Sequence, residues 1–139
     1  MIILSVDYGK ARTGVAVCDS SETIASPVCT IKEYNKNDLA SRIAEICRER
    51  SAQQIVLGLP RNMDGTEGES AANVREFAVI LQDAAGLEVV LRDERMTTVT
   101  AHNYLNLTDT RGKKRKAVVD SVAAVIILED YLSFRRNQR

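Results

Sequence analysis

IILSVDYGKARTGVAV, Ile2 to Val17, decides how the chain begins: two β-branched runs are separated by a short turn that contains Gly9, so the stretch reads as a hairpin. Its first strand ends on a carboxylate, Asp7, followed at once by Gly9, Lys10 and Arg12. A charge at the end of a buried strand loses hydration, and something has to compensate it. A structural ion pair, a phosphate-binding loop and a metal ligand are the three candidate answers.

The elements that follow extend the hairpin into a mixed sheet. SPVCTIK, Ser26 to Lys32, is a third strand, with Pro27 suited to a strand start or an edge. Asn37 can cap a helix in which Leu39, Ile43, Ile46 and Cys47 recur at helical spacing up to about Arg50. Gln54 to Gly58 reads as a buried strand, and a helix carrying Val74, Phe77 and Leu81 ends at Gly86. Leu87 to Leu91 is a fifth strand leading into Asp93 and Glu94, and a short helix runs from Thr97 or Thr98 through Leu105. The last helix spans about Lys116 to Phe134, a stretch without Gly or Pro. The order β-β-β-α-β-α-β-α-α implies an α/β protein: a three-strand meander plus parallel strands in a five-stranded mixed sheet flanked by helices.

With 139 residues, 45% of them apolar and 27% charged, the chain is expected to form one domain over residues 1–139. The opening MIILSVD has no basic region ahead of its apolar stretch, and the longest uncharged apolar run, Ser121 to Leu128, is too short to span a bilayer. A cytoplasmic protein without a membrane partner is the expectation. Cys18, Cys29 and Cys47 form no CxxC pair and read as buried free thiols. His102, the single histidine, is expected to be structural, which leaves little room for Cys-His or Ser-His-Asp catalysis.

The net charge is zero, but residues 1–91 carry a net −4 and residues 92–139 a net +4. The basic excess concentrates in RGKKRK, Arg111 to Lys116, and in Arg135, Arg136 and Arg139. Such a cluster suits either a phosphate-binding patch or a solvated loop and chain end.

Functional groups in α/β sheets collect at the carboxyl ends of the parallel strands. Asp7 ends the first strand, Arg61 and Asp64 follow the fourth, and Asp93 and Glu94 close the fifth. Asp120 stands between apolar residues in the last helix, on one face with Lys116, Ala124 and Ile127. Taken singly, each is an ordinary turn, exposed or helix-start residue. Three carboxylates converging on one edge repel one another unless a cation joins them, and hard oxygen ligands suit magnesium.

Four ordered motifs carry a resemblance. D-Y-G-x-x-R-x-G at Asp7 to Gly14, V-L-G-L-P-R-N-M-D-G-T-x-G at Val56 to Gly68, D-E-R-x-T-T at Asp93 to Thr98 and K-x-x-x-D-S-x-A-A-x-x-I-L at Lys116 to Leu128 are similar to the YqgF (RuvX) family. This bacterial group is associated with maturation of the 5′ end of pre-16S ribosomal RNA and with resolution of Holliday junctions. The resemblance covers essentially the whole chain and implies a ribonuclease-H-like fold. It also implies a hydrolase acting on phosphodiester bonds of structured nucleic acid, in ribosome biogenesis or junction resolution. The implied catalytic and metal-binding residues are Asp7, Glu94 and Asp120, which would hold one or two Mg²⁺ or Mn²⁺ ions; Asp93 is the competitor for the place of Glu94, because strand alternation lets only one of them face the metal. Arg12, Arg61, Asp64, Arg95, Lys113, Lys114 and Lys116 are the implied substrate contacts, and the protein would act as a monomer or a homodimer.

Two other classes compete with this reading. A non-catalytic nucleic-acid-binding module in ribosome assembly would use Lys113, Lys114 and Arg115 but would not gather three negative charges. An actin-like or sugar-kinase-like phosphate loop would need a second domain, and the loop from Gly58 to Ser70 lacks the GK[ST] ending of a P-loop.

Overall fold

A computed structural model of the protein describes residues 1–60, 66–93 and 112–138; of residues 112–120 it describes the helix but not the side chains. The hairpin is formed by β1 (Ile3–Asp7) and β2 (Arg12–Cys18), followed by β3 (Ala25–Lys32), α1 (Lys36–Arg50), β4 (Gln54–Leu59), α2 (Glu69–Ala85), β5 (Val89–Asp93) and α3 (Gly112–Gln138). The strands lie in the order β3-β2-β1-β4-β5; β2 is antiparallel to β1 and β3, while β4 is parallel to β1 and β5. The expected mixed sheet is therefore present. The short helix expected from Thr97 or Thr98 through Leu105, with His102, lies outside the described residues.

Side-chain alternation divides the sheet into two faces. Leu4 and Val6 of β1, Val15 of β2, and Ile55, Leu57 and Leu59 of β4 pack against Leu39, Ile43 and Cys47 of α1 and against Val74, Phe77 and Leu81 of α2. Ile3, Ala16, Cys18 and Val56 point the other way, onto Ala124, Ile127, Leu128, Tyr131 and Leu132 of α3. The edge strand β3 bears Pro27 and a bulge where Val15 pairs with Cys29 but Ala16 pairs with Pro27, which interrupts a ladder that would otherwise be open to another strand.

Boundaries shift by one to four residues from the sequence-based expectation, and three of the shifts have a clear physical reason. Asn35, not Asn37, caps α1: its side chain accepts from the Asp38 N–H at 3.0 Å, and its carbonyl accepts from Leu39. Two asparagines two residues apart are equal as local cap signals, and the position of buried Leu39, Ala40 and Ile43 against the sheet decides between them. α3 begins at Gly112 rather than near Lys116, so Lys113 to Lys116 are helical; Lys and Arg are good helix formers, and no proline stops the helix from extending backwards. β5 starts two residues later than expected, because Gly86 closes α2 in the left-handed region (φ 68°) and the Glu88 carbonyl accepts from Ile55 before pairing begins at Val89.

The three thiols are free, with Cys18 and Cys47 buried and Cys29 half-buried. Burial pushes the Cys47 thiol up to about 11, which fits an inert core residue. Among the described residues no helix is long and apolar enough to cross a membrane.

Candidate active site

Asp7 is the last residue of β1 and sits at the carboxyl end of the parallel pair β1–β4. It shares a face with Ile3 and Ser5, the face covered by α3. The cross-strand partner of Asp7 in β2 is Gly14. On the other side, the β1–β4 register pairs Val6 with Leu57, and the next residue of β4 is Gly58. Half-buried Asp7 is thus flanked on both neighbouring strands by glycines. Glycine inside a strand weakens it and often marks a place where a ligand or another backbone comes close.

A buried hydrogen bond fixes how α3 lies over this end of the sheet. Ser5, fully buried, donates its hydroxyl to the Ala124 carbonyl at 2.7 Å. At the opposite end of the sheet the Tyr131 hydroxyl donates to Gln54, whose strand neighbour is Ile3, so α3 runs antiparallel to β1. Two strand residues beyond Ser5 is Asp7, and one helical turn before Ala124 is position 120; both steps cover about 6–7 Å. The backbone therefore brings the Asp7 and Asp120 positions to the same level. This bond lies one helical turn and two strand residues from the two positions, and nothing in the sequence announces it, because Ser5 is one small residue in an apolar run.

In β5, Val90 packs on the α3 side of the sheet, and Arg92 reaches α3, with its guanidinium 2.7 Å from Asp130 and 4.7 Å from the Phe134 ring centre. Val89 and Leu91 pack with the opposite face, and Asp93 follows them by alternation. Arg12 opens β2 and lies, by the same period, on the side of Gly14 and Ala16. The turn between the strands is held by Thr13, whose hydroxyl accepts from the Gly9 N–H at 3.3 Å and donates to the Gly9 carbonyl at 3.4 Å. A Cβ at Gly9 would collide with the Arg12 carbonyl oxygen, so this turn demands glycine for lack of space.

Arg61, Asp64, Glu94 and Arg95 lie outside the described residues, and Lys113, Lys114, Lys116 and Asp120 are placed only as positions in α3. Among the described residues no three His, Cys, Asp or Glu side chains gather into a cation site. The sequence reading overlooked Gly14 and Gly58 as parts of the site; a glycine within each β-branched run was the available signal.

Comparison with known proteins joins this geometry to a lineage. Solved structures share the fold: Thermus thermophilus RuvC in complex with a Holliday junction substrate superposes with a TM-score of 0.63 at 15% identity, covering 99% of this chain and 96% of that one. The fowlpox virus resolvase with its Holliday junction DNA gives 0.56 at 13% identity, over 97% and 99% of the two chains. The sheet and its helices are accordingly of the ribonuclease-H-like kind. Closer in sequence, proteins named "Putative pre-16S rRNA nuclease" are 44% identical over 133 residues in Clostridium tetani, covering 95% of this chain and 96% of the relative, and 40% identical over 137 residues in Endomicrobium trichonymphae, covering 98% of each. Residues 1–134 match the RuvX family, described as Holliday junction resolvase. With a family match over residues 1–134 and relatives at 40% identity or more named as nucleases, the chain belongs to the RuvX family.

Proposed function

We propose that this chain hydrolyses phosphodiester bonds at the carboxyl end of β1, with precursor 16S ribosomal RNA as its substrate. The observation that carries the reading is the placement of Asp7 between Gly14 and Gly58, at the level of position 120 across the Ser5–Ala124 hydrogen bond. Relatives named for pre-16S rRNA support the choice of substrate. A second reading, cleavage of branched DNA, is favoured by the family description and by the junction complexes that share the fold.

The donor set fits a hard divalent cation. Asp7, Glu94 and Asp120 offer carboxylate oxygens only, which suits a hard ion that keeps part of its water shell. Alternation in β5 sets Asp93 with Val89 and Leu91 on the α1–α2 side, away from the face that Asp7 shares with α3, which favours Glu94 as the third carboxylate. Magnesium or manganese, when bound, would supply an activated water and would neutralise charge developing on the phosphate. The chain itself supplies the positioning. Asp7 is fixed by the β1–β2 and β1–β4 ladders, and the α3 position is fixed by Ser5. Arg12, which opens β2 on the face of Asp7, and Lys116, one helical turn before Asp120, are suited to the phosphate oxygens; Arg61, Asp64 and Arg95, in the segments that follow β4 and β5 in sequence, would contact the substrate. Lys113 and Lys114, on the first turn of α3, would hold the flanking backbone.

Purified protein and its Asp7→Asn variant, incubated with 5′-extended pre-16S rRNA and with a four-way DNA junction, with and without Mg²⁺ or Mn²⁺, test this. Cation-dependent cleavage of the rRNA by the wild type is expected, with a loss on the order of 10³-fold or more in the variant and an unchanged circular dichroism spectrum. Equal cleavage by the variant overturns the site, and cleavage of the junction alone transfers the assignment to branched DNA.

A further inference from the structure

The carboxyl edge of the sheet has a second opening, on the face opposite α3. A cavity of about 620 Å³ lies where the β1–β2 turn meets the starts of α1 and α2 and the end of β4. Tyr8, Tyr34, Lys10, Lys36, Glu69 and Asn73 contribute to its wall. Tyr8 is the residue next to Asp7, and alternation sends its side chain to the α1–α2 face. There it stacks on buried Phe77, with ring centres 4.4 Å apart and planes 16° from parallel, so one wall is a ring held in place. Tyr34, by contrast, is 79% exposed, an unusual position for a large aromatic ring. Lys36 pairs with Glu76 at 3.1 Å, yet an ammonium carries three donors and both partners are reached by solvent. Lys10 is exposed on the turn.

An exposed aromatic ring and a second, fixed one among lysines at a concave surface match single-stranded nucleic acid, whose bases are free to stack and whose phosphates need cations. A duplex offers no such free base, and a neutral apolar ligand would have no use for the two lysines. Polar groups in its lining, Asn73 and Glu69, can meet the hydrogen-bonding edge of a base. We propose that this cavity is a subsite for an unpaired nucleotide adjoining the scissile phosphodiester, with its base stacked on Tyr34 and its phosphate drawn by Lys10 and Lys36. The proposal rests on the nuclease reading of Asp7. Successive residues of β1 would then hold neighbouring parts of one strand on opposite faces of the sheet, so the enzyme would prefer substrates with a single-stranded extension beside the cleavage point.

Equilibrium titration in the Asp7→Asn protein separates this from turnover. The probes are fluorescently labelled blunt RNA and DNA duplexes and the same duplexes with a short single-stranded overhang, followed by anisotropy. Overhangs are expected to tighten binding for RNA and DNA alike, since stacking does not depend on the sugar. Tyr34→Ala should remove that advantage, weakening overhang binding about 5- to 150-fold while leaving the blunt duplex unchanged, and Tyr34→Phe should keep it. Lys10→Ala should lower the salt dependence of overhang binding by about one counterion. Equal affinity for blunt and overhanging probes, an advantage confined to RNA, or a Tyr34→Ala loss shared by both probes overturns the subsite. Failure of the nuclease reading would show separately, as cleavage by Asp7→Asn.

Discussion

The two faces of the sheet are held by different kinds of contact. Beneath α1 and α2 the packing among the described residues is a large apolar cluster centred on Phe77, Leu4, Leu39, Ile43, Leu57 and Leu81. Beneath α3 a smaller apolar cluster is tied down by polar bonds: Ser5 to the Ala124 carbonyl, Tyr131 to Gln54, and Arg135 to buried Glu22, which also accepts from the chain's N-terminus. Apolar packing is non-directional, whereas a hydrogen bond between defined atoms specifies one register. The face on which Asp7 and position 120 are brought to one level is the one with directional ties. The difference teaches that stability and placement of the site are supplied largely by different layers.

The largest blow to that division should come from Phe77→Ala, which empties the centre of the apolar face and removes the ring behind Tyr8. A loss of about 3–5 kcal/mol in chemical denaturation is expected. A loss under 1 kcal/mol would mean that the α1–α2 layer does not dominate stability. Glu22→Gln comes next, at about 1–3 kcal/mol, because the Arg135 guanidinium and the terminal ammonium lose a buried charged acceptor. Hydrogen bonding from Arg135 and the terminal amine holds the Glu22 carboxyl well below its usual range, at about 2. Its folded value is depressed, so the stabilisation is complete above about pH 4.5 and drains away as the pH falls towards 2. Thermal melts at pH 6 and pH 3 should therefore converge more closely for Glu22→Gln than for the wild type; an unchanged gap would remove Glu22 from the acid response. Ser5→Ala should cost least, about 0.5–1.5 kcal/mol, since one buried hydrogen bond is lost. It should nevertheless lower kcat more than the melting temperature suggests, with KM little changed, and Ser5→Thr should recover part of the rate. A kcat that simply follows the folded fraction would show that the Ser5–Ala124 bond places nothing.

Much of this architecture is legible in the residues because local and global preferences agree. The hairpin follows from two β-branched runs around Gly9, and the end of α2 follows from Gly86, whose positive φ most residues avoid. Asp7 stands out in sequence because a carboxylate closing an apolar strand needs a reason. What stays hidden depends on partners distant in the chain. Nothing near Ser5 announces Ala124, which is 119 residues away, and Asn35 and Asn37 look alike until Leu39 meets the sheet. The basic run before Asp120 reads as a loop because its composition is that of a solvated segment; the helix continues through it because the turns that follow are anchored on the sheet.

β1 is five residues long, and its period of two has a consequence for how such a chain can be altered. Asp7 and Tyr8 are adjacent but serve opposite sides of the molecule, so inserting or deleting one residue within the strand would exchange them. The ring would meet α3 and the carboxylate would enter the tyrosine cavity, while every buried neighbour changed sides as well. Lengthening is therefore tolerable only outside the strand, and the tight Gly9 turn closes that route on one flank. A single short strand thus acts as a ruler whose graduations cannot be shifted by one.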